Sequence, residues 1–146
     1  CWGDHGTAQA DLPRSATLQS LPHPDRYPAV AAAPGLSHTC IGDSDGGVWC
    51  FGNNTHGQLA TGDTEARTAA TAQRVVLGPS VEQVVVGVEH ACAKVDGRGA
   101  VCWGGNSRLQ LGLGPQVQRL GAAPGEMESL EVVNLGATHH VTALAA

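Results

Sequence analysis

The sequence predicts an all-β chain built from repeated β-hairpins, and three observations lead there. A Cys-aromatic-Gly triplet occurs as Cys1-Trp2-Gly3, Cys50-Phe51-Gly52 and Cys102-Trp103-Gly104, at separations of 49 and 52 residues. A second landmark, Gly-x-x-His, runs from Gly35 to His38, Gly87 to His90 and Gly136 to His139, at separations of 52 and 49. Two unrelated landmarks with a common period mark a repeat architecture. Composition is the third observation: 20 Gly and 8 Pro in 146 residues suit many short strands joined by tight turns. With one Phe, one Tyr and three Trp, the core must come mainly from Val, Leu and Ala.

The offset of 52 carries further positions with it. Cys40 falls on Cys92, Asn54 on Asn106, Gln58-Leu59 on Gln110-Leu111 and Gly62 on Gly114. The first copy is degraded: Gln9 stands where Gln58 predicts, but Asp4-His5 replaces Asn53-Asn54. The units expected are 1–34 (partial), 35–86, 87–135 and 136–146 (partial), one incomplete segment in all.

The run from Gly87-Val88-Glu89-His90-Ala91-Cys92 through Asp96-Gly97 and Val101-Cys102-Trp103-Gly104-Gly105-Asn106 to Gln110-Leu111-Gly112-Leu113-Gly114 resembles one unit of the regulator of chromosome condensation repeat. The copy from Gly35 to Gly62 resembles it nearly as well. That resemblance implies a seven-bladed β-propeller, of which this chain would cover about three four-stranded antiparallel blades. Since a closed propeller takes at least four blades, the remainder is expected from a longer parent chain or from self-association.

Each unit reads locally as a hairpin. Val81 to Val88 is a short β-branched run, and the clusters Asp43-Ser44-Asp45-Gly46-Gly47 and Asp96-Gly97-Arg98-Gly99 are turn chemistry. The glycines at 52, 57, 62, 104, 112 and 114 are expected to allow positive φ or close backbone approach where strands turn. Cys40 and Cys50 are ten residues apart, as are Cys92 and Cys102, so a turn centred near residue 45 sets the first pair face to face. Opposed residues at such a site are close enough for a disulfide. Cys1 is left unpaired, its partner expected ten positions upstream. Val141 stands at the corresponding cysteine position of the last unit, so the bridge reinforces the blade without being obligatory.

Other residues invite sharper readings. His38 with Cys40, or His90 with Cys92, shares a strand face, and the opposing Cys50 or Cys102 could complete a zinc set. His139 recurs where no Cys follows, so the histidine reads as structural, its imidazole bonded to backbone in the turn before the strand. His140 points to the opposite face from His139 on a regular strand and reads as an ordinary neighbour. Asp43-Ser44-Asp45-Gly46 opens like a calcium loop but lacks the downstream Glu. Asn53-Asn54-Thr55 is an N-glycosylation sequon, although Asn54 is also a repeat position with a turn role. The remaining repeat positions, Gly35, Gly87, Gly136, Trp103, Asn106, Gln58 and Gln110, read as structural, and the residues suggest neither metal nor other cofactor.

A net charge of -5 and the lack of basic runs argue against a nucleic-acid surface. No stretch is long and apolar enough for a membrane span. Paired cysteines point to an extracellular, periplasmic or cell-surface location. A non-catalytic scaffold is therefore expected, binding a protein or glycan through rim loops in 4–34, 63–80 and 115–129. The alternatives are a guanine-nucleotide exchange factor for a small GTPase, which the family name suggests, and a purely structural set of repeats.

Overall fold

The computed structural model describes residues 29–136 and 140–146. Two four-stranded antiparallel sheets form in chain order. The first contains β1 (Ala29–Pro34), β2 (His38–Asp43), β3 (Gly47–Gly52) and β4 (Gln73–Val76), and a 3-10 turn at Ala69–Thr71 precedes β4. The second contains β5 (Val81–Val86), β6 (His90–Val95), β7 (Gly99–Gly105) and β8 (Arg119–Leu120).

Turn chemistry sets the central hairpins. The Asp43 carboxylate accepts the amides of Asp45 at 3.0 Å and Gly47 at 2.8 Å, while Gly46 supplies a positive φ of 76°. This closure puts Cys40 opposite Cys50, and the matching hairpin puts Cys92 opposite Cys102. Both pairs are disulfide-bonded, with Cα separations of 4.2 and 4.1 Å.

The same register joins the two sequence landmarks. His38 pairs with Gly52, and His90 with Gly104. At Gly52 a Cβ atom would lie 2.5 Å from the Ser37 carbonyl oxygen and 2.7 Å from His38 Cα. Gly104 meets the Glu89 carbonyl oxygen and His90 Cα at the same two distances. The third residue of the triplet is therefore glycine because the end of β3 or β7 lies directly on the turn that opens β2 or β6. All six repeat glycines at 52, 57, 62, 104, 112 and 114 have positive φ.

The sheets pack face to face, with β5 against β1 and β2. Gly42 opens room for the next sheet: a Cβ there would sit 2.6 Å from Val81 Cγ1. One apolar cluster spans the seam, including Cys40, Val48, Cys50, Leu59, Leu77, Val81, Val84, Val95, Val101 and Trp103. Burying each Val or Leu side chain there contributes about 1.5–3 kcal/mol.

The outer strands differ between the sheets. β4 runs along β3 for four residues, whereas β8 pairs only at Gly104 and Gly105. The rest of the β7 edge is taken by the next stretch of chain, through a Val101–Val132 bridge and the Val133 amide donating to the Ala100 carbonyl at 2.8 Å. Leu130, 49 residues after Val81, is buried as Val81 is.

Of the segments 4–34, 63–80 and 115–129, expected to supply recognition loops, the described parts contain β1, the 3-10 turn, β4 and β8 as well as the loop residues 63–68 and 115–118. Inner and outer strands are specified mainly by backbone pairing and small or β-branched side chains, so they carry no landmark residue. Cys1, Trp2, Gly3 and His139 lie outside the described residues.

Candidate binding rim

The antiparallel order sorts the connections onto two rims. One rim has the short connections 44–46, 77–80 and 96–98. The other has the turns 35–37 and 87–89 with the longer loops 53–72 and 106–118.

Repeat polar residues hold the longer loops. Asn54 Oδ1 accepts the Leu59 amide at 2.9 Å, and its Nδ2 donates to the Asp63 carbonyl at 2.9 Å and to Thr61 Oγ1 at 3.2 Å. Asn106 repeats the scheme, accepting from the Leu111 amide at 2.9 Å and donating to the Gly114 and Val117 carbonyls at 3.0 and 2.6 Å. Gln58 Oε1 accepts from the His56 amide, and Gln110 Oε1 from the Arg108 amide, both at 2.8 Å. Asn54, Gln58 and Asn106 are buried, so their side chains satisfy backbone groups that water cannot reach. Asn53, the sequon asparagine, accepts from the Thr55 amide at 3.0 Å, the Thr55 hydroxyl at 2.9 Å and Gln58 Nε2 at 3.0 Å.

Gly35 and Gly87 open equivalent turns, each amide donating at 2.9 Å to the carbonyl of the histidine three residues on. Gly136 differs: its amide donates to the Asn134 side chain at 2.9 Å, and its φ is 92°. The His38 ring is buried, and among the described residues neither ring nitrogen makes a hydrogen bond of ordinary geometry. The expected bond from the imidazole to the backbone of its own turn is not made, and the backbone that acts on the ring is that of His90. The backbone closes the turn by itself, and the ring fills space between the sheets instead. Burial, with a smaller effect from nearby His90, pushes the His38 pKa down to about 4, while hydrogen bonding with the His90 backbone works the other way. His90 is half-buried and also shifted down by burial. Its ring covers Gly87, where a Cβ would collide with it.

Two features escaped the sequence reading. The first is the ion pair of Arg74 with buried Asp43, at 2.7 Å from Nε to Oδ2 and 2.9 Å from the other guanidinium nitrogen to Oδ1. Burial works against the charged Asp43, but Arg74 and the amides of Gly47 and Asp45 overcome it and hold the carboxyl below its ordinary value. The carboxylate suggested for calcium is thus committed to the hairpin. Likewise the disulfides leave no thiolate beside His38 or His90 for zinc.

The second feature is a set of exposed apolar side chains on the long-loop rim. Leu36, Val88 and Leu109 are 78%, 61% and 53% exposed. Leu36 and Val88 occupy the same position of the Gly-x-x-His landmark, and Ser37 Oγ donates to the Val88 carbonyl at 3.2 Å between them. Their shared position was the signal available in the sequence. Leu109 holds a left-handed φ of 61° at the position where the preceding repeat has Gly57.

At the opposite side of β6 and β7, a cavity of about 1120 Å³ opens toward the last residues of the chain, with Glu82, Lys94, Arg98, Glu131 and His140 among its lining. Its charges are mixed, and Lys94 is already paired with Glu82 at 2.7 Å.

Successive four-stranded antiparallel sheets, joined in order and stacked on a common apolar seam, define a segment of a β-propeller. The regulator of chromosome condensation (RCC1) repeat matches residues 29–58 in one family model and 45–93 in a second. The chain carries repeats of this family, in a form with paired cysteines. It is similar to the ultraviolet-B receptor UVR8 of Arabidopsis thaliana, 31% identical over 123 residues, covering 82% of this chain and 27% of the receptor. It is also similar to the X-linked retinitis pigmentosa GTPase regulator of Mus musculus, 34% identical over 116 residues, covering 77% of this chain and 11% of that protein. Among solved structures, Prp20p of Saccharomyces cerevisiae superposes with a TM-score of 0.61 at 20% identity, covering 81% of this chain and 28% of the other. Human WBSCR16 superposes with a TM-score of 0.57 at 22% identity, covering 64% and 24%. The chain thus spans roughly a quarter or less of each of these proteins.

Proposed function

We propose that this segment is a non-catalytic scaffold of an extracellular, periplasmic or cell-surface propeller, and that its long-loop rim binds a protein. The observation that carries this reading is the set Leu36, Val88 and Leu109: large apolar side chains exposed on one rim, above loops fixed by buried Asn54, Gln58 and Asn106. Apolar groups presented on a rigid frame are the usual core of a protein-binding surface. The two disulfides support an oxidising compartment. The relatives support a binding or regulatory role: one is named a GTPase regulator, and Prp20p is described with its binding to Gsp1p and histones.

Photo-cross-linkers placed at 36, 88 and 109, and separately at 45 and 97 on the opposite rim, test this in the exported fraction of the source cells. One protein captured from the first set alone supports the reading. Equal capture from both rims, or none from the first, contradicts it. The relatives' names also favour a second reading, regulation of a small GTPase. Faster nucleotide release from a GTPase of the source cell on adding the chain would support that reading instead.

A further inference from the structure

His38 stands where the two sheets meet, at the start of β2, with β5 packed against β1 and β2. It is fully buried, and among the described residues neither ring nitrogen makes a hydrogen bond of ordinary geometry, although the His90 backbone lies close enough to act on the ring. The turn around it is as tightly packed: a Cβ on Gly35 would collide with Val86 of the second sheet, and it would come within 3.2 Å of the Gly87 carbonyl oxygen. We propose that the His38–His90 pair is an acid-sensitive latch, whose protonation loosens the seam between the two sheets while the disulfide-closed hairpins stay folded.

Among the described residues, the groups around the ring offer no compensation for a positive charge. Neither β1 nor β3 carries a charged residue. On β5, Glu82 is engaged by Lys94 of β6. Glu89, in the turn before β6, has its carboxylate against Gly105. Asp43, at the far end of β2, is held by Arg74. His90 is the group whose charge reaches His38, and it repels.

Because the folded His38 has its pKa near 4 rather than 6.5, the unfolded or opened chain takes up protons first as pH falls. The seam is at full strength above about pH 6.5 and weakens progressively toward pH 4. A fully buried imidazole opens the structure more readily than it accepts an uncompensated charge in place. The disulfides do not titrate, so the hairpins on either side keep their register.

Two hydrogen bonds report on the seam itself. The Trp103 indole N–H donates to the Gln58 carbonyl, and the Gly62 amide to the Gly121 carbonyl, both between parts of the two repeats. Hydrogen exchange at these two sites, expressed as protection factors, should fall at least about tenfold between pH 7 and pH 4.5, while β3 amides bonded to β2 keep theirs. In His38→Phe the fall should vanish. If that variant does not fold, His90→Asn decides: removing the repelling neighbour should move the loss to lower pH. Unchanged protection in the wild type, an equal fall in His38→Phe, or no displacement in His90→Asn would overturn the latch.

Discussion

The indole Nε1–H of Trp103 donates to the main-chain carbonyl of Gln58 at 3.0 Å, linking the second sheet to the loop of the first across 45 residues of sequence. Both residues are buried. The aromatic of this triplet therefore anchors the Gln-Leu loop of the preceding repeat, which ties the two recurring features of a unit to neighbouring units rather than to each other. Replacing Trp103 with Phe, the residue the preceding triplet carries at position 51, leaves that carbonyl without its donor. The expected loss is about 1–3 kcal/mol in unfolding free energy, read from the denaturant midpoint.

The Arg74–Asp43 pair predicts a pH-dependent cost. Asp43→Asn should destabilise the chain at neutral pH by about 2–3 kcal/mol, since it strips a buried carboxylate from its guanidinium. Asp43 has a folded-state pKa below its ordinary value, so its contribution is present above about pH 4 and lost as pH falls below that. Thermal unfolding of wild type and variant should accordingly converge in acid and differ most near neutrality.

Leu109 predicts a gain. A non-glycine residue in the left-handed region costs about 1–2 kcal/mol, and glycine already stands at the equivalent position 57. Leu109→Gly should raise unfolding free energy by about 1 kcal/mol, somewhat less than the strain because glycine also frees the unfolded chain. If the rim binds through this side chain, the same variant should lose partner affinity as it gains stability.

The hairpins, their register and the disulfides were legible because each depends on residues with few substitutes. Gly52 and Gly104 answer a backbone collision, Asp43 and Gly46 a turn, and the cysteines each other. Asn54 and Asn106 stood out as repeat positions, and their loop hydrogen bonds give the reason, since an amide both donates and accepts within one loop. Strands β1, β4 and β8 were not legible. Ala29–Pro34 and Arg119–Leu120 carry no side chain that their pairing requires. Partnerships set by three-dimensional packing were also hidden: nothing in the spacing of Asp43 and Arg74, or of His38 and His90, announces that they meet. The histidine expectation failed because the Gly-x-x-His turn closes through its own backbone, which left the ring to the seam.

The measurement that bears most directly on the central claim, disulfide-closed hairpins in a propeller segment, and on the oxidising compartment proposed from them, is intact mass after thiol alkylation, without and then with reduction. One modified thiol before reduction, at Cys1, and five after is the predicted result, with Cys40–Cys50 and Cys92–Cys102 each contributing about 2.5–3 kcal/mol. Five modified thiols from the outset, in material never exposed to reductant, would contradict the account.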